Sequence, residues 1–179
     1  MQHLILLSLT ILVAGLTFTV LKWRGGLHMT FSQHAATNRS SIIFYASLFL
    51  FALPLLIGFF ATWYVPRNNL PAVFLLIATV SAILQIVCTW FPENGGKNTK
   101  IHRLLTGISG IALLPLMIII ATSSAFSVFV RYVSWVALGV MVILLTIALR
   151  NQKGYKYALL LQIGYYAAFI ITILVSTYT

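Results

Sequence analysis

Six runs of about 20 mostly apolar residues constrain this chain more than any other feature, since few soluble folds have interior enough to hide them. They lie at about 3–22, 41–64, 70–91, 101–122, 131–149 and 156–177. Each is long enough to cross the hydrocarbon layer of a bilayer as a helix, the form in which a lipid-exposed segment satisfies its own backbone. Composition agrees, with 61% hydrophobic and only 7% charged residues, against roughly a quarter charged in soluble domains. The expected fold is all-α: one polytopic membrane bundle of six transmembrane helices, residues 1–179, in the cell membrane. Lys22 and Arg24 follow the first run instead of preceding it, and no small-residue cleavage site closes it. That run is therefore expected to be a span and not a cleaved leader.

Cations set the expected orientation, because Lys and Arg favour the cytoplasmic side of short loops. Lys22, Arg24 and Arg39 fall in the first connection, Lys97, Lys100 and Arg103 in the third, and Arg150, Lys153 and Lys156 in the fifth. Only Arg67 and Arg131 fall on the other side, so both termini are expected on the non-cytoplasmic side. The net charge of +10 is dispersed over short loops and forms no concentrated basic face, which argues against a nucleic-acid partner. It suits anionic membrane lipids, at about 1 kcal/mol per cation near a charged surface.

Within the spans, Pro54 and Pro115 are expected to kink their helices, and Gly107 and Gly110 to permit close helix approach. Cys88 reads as a small buried hydrophobe. Trp23, Trp63, Trp90, Tyr64 and Tyr132 lie near span ends, where amphipathic rings prefer the headgroup region. Asn38-Arg-Ser40 matches a glycosylation acceptor but lies on the expected cytoplasmic side. No internal repeat of the kind seen in duplicated transporters is evident.

Chemistry concentrates in the polar hinge from Trp90 to Gly107, which holds the sole carboxylate side chain, Glu93. Leading to it, Ser81, Gln85 and Thr89 recur every four residues and so share one helical face. Such a stripe faces the bundle interior, as interhelical hydrogen bonding or as a pocket wall. Across the hinge His102 opens the fourth span, with Thr106 one turn below. Glu93 and His102 are the candidate catalytic or proton-handling pair, or else an interfacial salt bridge for which Lys97, Lys100 and Arg103 compete. The first connection, Trp23 to Ser40, is long enough to fold back over the helix ends, bringing Ser32 and His34. The candidate ligand-binding set is Ser32, His34, Gln85, Thr89, Glu93, His102 and Thr106. His28, His34, His102 and Glu93 supply the residue types of a zinc site without its usual spacing. No cofactor is named by these residues, and with no Asp and a single Glu neither a Ser-His-Asp triad nor magnesium-dependent phosphoryl transfer can be assembled.

Ser32-Gln-His34-Ala-Ala, the Pro-containing second span, Trp90-Phe91-Pro92-Glu93 and Ile101-His102 resemble a bacterial and archaeal membrane family, domain of unknown function 998. That family is similar in turn to six-span eukaryotic lipid-remodelling and autophagy-modulator proteins. The resemblance implies the six-span fold and a site at Ser32, Phe91, Pro92 and His102, with His34 and Glu93 beside them. It implies no activity. The leading expectation is a protein that binds or translocates a lipid or small amphiphile through a polar pocket at the cytoplasmic mouth. The alternatives are an intramembrane hydrolase or transferase using His102 and Glu93, possibly with a metal, and a partner-binding subunit, with oligomerisation open.

Overall fold

The computed structural model describes residues 1–23, 25–150 and 156–179. Arg24 and positions 151–155, which include Lys153 of the fifth connection, lie outside the described residues. All regular structure among the described residues is helical: α1 Leu4–Lys22, α2 Phe31–Ala35, α3 Arg39–Phe59, α4 Val65–Arg67, α5 Ala72–Cys88, α6 Gly96–Thr122, α7 Val128–Arg150 and α8 Ala158–Tyr178. Among the described residues, five helical stretches are long and apolar enough to cross a membrane: α1, Arg39–Arg67, α6, Val128–Ala148 of α7, and α8.

The departures from the expected spans have local causes. Helix α3 runs without a break through a π-helical turn, Phe60–Tyr64, into α4, so Pro66 and Arg67 belong to the helix and not to the connection. The chain reverses at Asn69, whose φ of 45° is the left-handed conformation that Asn tolerates. Helix α5 has only 17 residues, at the lower limit for a span, because the chain leaves the helix at Thr89. Gly95 and Gly96 have φ of 106° and 64°, values open chiefly to glycine. They let α6 start at Gly96, about five residues before the expected segment.

Packing is unequal along the bundle. The principal core joins Ile5 and Leu9 of α1, Phe59 and Phe60 at the end of α3, Phe74 of α5, and Leu116, Met117 and Ile120 of α6 with Phe169 and Ile173 of α8. These belong to the end where the two termini meet, marked by the Gln2 amide donating to the Thr177 carbonyl at 3.3 Å. Tyr64 and Ser176 tie α8 to the π turn with a 2.6 Å hydrogen bond inside the same core. At the other end stand the first connection and the hinge, and there the helices part.

Helices α1 and α3 pack tightly at Gly15, where an added Cβ would run into the Leu48 side chain. Gly15→Val is therefore expected to cost about 1–3 kcal/mol by overpacking, seen as a lower unfolding temperature in detergent. By contrast, a Cβ at Gly107 or Gly110 would meet nothing within 4 Å. The expected close helix approach at that pair does not occur, because both face open space.

Candidate functional site

The open space is a cavity of about 1410 Å³ between the first connection, the hinge, the start of α6, the end of α7 and the start of α8. Its roof is built by sequence-local chemistry. Thr30 caps α2, accepting from the Gln33 amide at 3.2 Å while the Gln33 side chain accepts from the Thr30 amide at 2.9 Å. This reciprocal pair satisfies two helix-end donors and fixes a helix of only 5 residues. Asn38 and Ser41 repeat the arrangement at the start of α3, so the Asn38 of the acceptor-like triplet serves as a helix cap.

The roof is anchored on both sides. The Phe31 amide donates to Gln162 Oε1 of α8 at 3.0 Å, and the Leu159 amide to the Leu27 carbonyl at 3.0 Å. Toward the hinge, the Thr30 and Ser32 hydroxyls each donate to Glu93 Oε2 at 2.8 Å, and Arg103 Nε donates to Glu93 Oε1 at 2.7 Å. Glu93 thus joins three elements with one carboxylate. Its side chain is only 4% exposed, while that of Arg103 is 63% exposed. Burial alone opposes ionisation of Glu93. The hydrogen bonds from Arg103, Ser32 and Thr30, with the Arg103 charge, outweigh it and hold the carboxyl below its ordinary range.

Glu93 and His102 share the cavity wall without bonding each other, contrary to the expected pair. His102 Nδ1 faces two carbonyl oxygens, Cys88 and Phe91, both at 2.9 Å. Carbonyls only accept, so Nδ1 carries the proton and donates it. The side chain is thereby a clasp across the hinge, tying the start of α6 to the end of α5.

The Ser81, Gln85 and Thr89 stripe is buried as expected, and its partners are protein groups. Ser81 and Ser109 exchange hydroxyl and carbonyl bonds between α5 and α6 at 2.9 and 3.0 Å. Gln85 Nε2 donates to the Tyr166 hydroxyl of α8 at 2.8 Å, and Thr89 to its own helix at Ile86. Of the candidate ligand set, Ser32, Glu93, His102 and Thr106 border the cavity, whereas His34, Gln85 and Thr89 are not among its walls. His34 is fully buried, its Nδ1 2.8 Å from the Trp23 carbonyl and its Nε2 without a partner. His28 borders the cavity mouth. Among the described residues no three His, Cys, Asp or Glu side chains gather closely enough to hold a metal ion, so the zinc inventory of His28, His34, His102 and Glu93 is not assembled.

Sequence reasoning missed Thr30, Lys156, Gln162, Tyr165 and Tyr166, all of which border the cavity. Thr30 was findable, since Thr-x-x-Gln before an apolar run is a helix-start signature. Gln162, Tyr165 and Tyr166 stand three and four positions apart on one face of the last span, the same kind of polar pattern as on α5.

From mouth to floor the cavity changes character. His28, Gln33, Asn94, Arg103 and Lys156 surround the mouth, and the depth is lined by Leu144, Leu145, Leu161 and the bare backbone of Gly107 and Gly110. Tyr165 closes the floor, its hydroxyl donating to the Gly110 carbonyl at 2.6 Å. No known protein family, curated protein or solved structure matches the chain.

Proposed function

We propose that the chain is a six-span protein of the cell membrane, with its termini on the non-cytoplasmic side, that holds an anionic lipid or other amphiphile in this cavity. The gradient from a cationic polar mouth to an apolar depth carries the reading. The sole carboxylate at the mouth is already engaged by Thr30, Ser32 and Arg103, so a headgroup meets the charge of Lys156 and the outward part of Arg103 without a competing free acid. Desolvating such a headgroup beside cations and hydrogen-bond donors is favourable where the tail is buried at the same time. Of the positions that carry the resemblance to domain of unknown function 998, Ser32, Glu93 and His102 border the cavity, whereas His34, Phe91 and Pro92 do not.

The enzymatic alternative is less well supported, because His102 and Glu93 are each committed to separate protein partners. Native mass spectrometry of gently extracted protein tests the binding reading. Wild-type protein is expected to retain an amphiphile, and Lys156→Glu to retain roughly tenfold less, as a charge reversal costing between 1 and 2 kcal/mol would produce. Wild-type protein that carries and takes up no amphiphile would refute it.

A further inference from the structure

The cavity ends abruptly, and its depth can be read from the helices that wall it. On α6 the lining begins at His102 and ends at Gly110, roughly 12 Å along the axis at 1.5 Å per residue. On α8 it ends at Tyr165 and Tyr166, whose hydroxyls are both fixed, one by Gly110 and the other by Gln85. Below that level Leu113, Leu116 and Met117 of α6 and Phe169 and Ile173 of α8 belong to one buried apolar core. One leaflet of hydrocarbon is about 15 Å deep. The walled space therefore stops short of the depth that a membrane lipid's own tail occupies.

Two glycines sharpen the point. Gly107 and Gly110 both line this depth, and neither has a neighbour within 4 Å of where a Cβ would stand. Their missing side chains make room that no protein group fills, directly above the tyrosine floor.

On the premise that the cavity binds an amphiphile, we propose that the Tyr165 floor and the bare Gly107–Gly110 wall make it a gauge of tail length. It selects single-chain anionic amphiphiles drawn from the adjacent leaflet whose tails are shorter than that leaflet is deep. The head sits among His28, Arg103 and Lys156 at the mouth, and the tail runs down the glycine wall to the tyrosine. A longer tail must bend out between the helices and leave part of itself outside the walls, without the contacts that the walled part makes.

The experiment is a competition among saturated fatty acids from octanoate to octadecanoate, added in equal amounts to full-length protein in detergent and read by native mass spectrometry. Wild-type protein is expected to show a maximum at intermediate length, with occupancy falling severalfold toward the longest chain. Tyr165→Ala lowers the floor, and the maximum is expected to move to longer chains. Gly107→Leu places its Cβ where no protein atom lies within 4 Å, and it is expected to unfold at the wild-type temperature and to move the maximum to shorter chains or abolish uptake. Binding whose length profile is flat, or is the same in wild type and Gly107→Leu, overturns the gauge and leaves the binding reading standing. No binding of any chain by the wild type overturns both.

Discussion

Glu93→Ala is expected to free the roof of the cavity and to lower the stability of the protein by about 2–4 kcal/mol. The magnitude follows from what the carboxylate holds. The pairing with Arg103, taken alone, contributes little, because the guanidinium side chain is 63% exposed and water screens it. The two hydroxyl bonds from Thr30 and Ser32 reach an almost inaccessible carboxylate, and hydrogen bonds to charged groups contribute roughly 1.5–3 kcal/mol each. They are also long-range contacts that fasten α2 to the hinge. Amide hydrogen exchange across residues 30–36 should therefore accelerate far more in Glu93→Ala than exchange across α6. An unchanged rate in that segment would show that the roof is held by its α8 contacts instead.

The same group sets a pH dependence of definite sign. Its carboxyl is held below the ordinary range, so the folded state binds this proton less readily than the unfolded chain does. The contribution to stability is fully present above the unfolded value, about 4.3 for Glu. It is lost as the pH falls through the depressed folded value. The roof should stay latched through the neutral range and loosen only in acid. Glu93→Gln, which cannot ionise, should remove that acid-dependent part of the unfolding curve.

How much of this was legible in the chain depended on whether a signal was periodic or positional. Apolar runs announce helices wherever they occur, and a four-residue polar spacing announces an inward face, so the long apolar helices and the Ser81, Gln85 and Thr89 stripe could be read directly. Which cation takes Glu93 could not, because Lys97, Lys100 and Arg103 all follow it within the hinge and the partner is the one farthest along the chain, presented by the start of α6 at Gly96. The roles of Gly107 and Gly110 were read in the wrong direction. A glycine near a helix start looks the same whether a neighbouring helix or an empty space lies over it. Tyr165 meets a carbonyl 55 positions away, and no local pattern distinguishes that tyrosine from an interfacial anchor.

His102→Leu is expected to open the hinge, and Cys88 provides the means to see it. Replacing the imidazole by an apolar group of similar bulk keeps the packing but removes the N–H that the Cys88 and Phe91 carbonyls share. Both carbonyls belong to the turn that ends α5. A buried acceptor left without its donor costs about 1–3 kcal/mol. The Cys88 carbonyl keeps the Phe91 amide, which donates to it at 3.0 Å, so the loss falls on the Phe91 carbonyl and toward the lower part of that range. Cys88 is 1% exposed and is the chain's one cysteine, so modification by a small thiol reagent reports the opening of this turn alone. When reclosing outpaces labelling, the rate follows the open population, and a loss of about 1–2 kcal/mol raises it roughly 5- to 30-fold. His102→Asn, which keeps a side-chain donor, should recover part of that protection, whereas Lys97→Ala at the exposed edge of the hinge should leave the rate unchanged. Labelling of His102→Leu at the wild-type rate would mean that the Ser81–Ser109 pair, and not the histidine, holds α5 to α6.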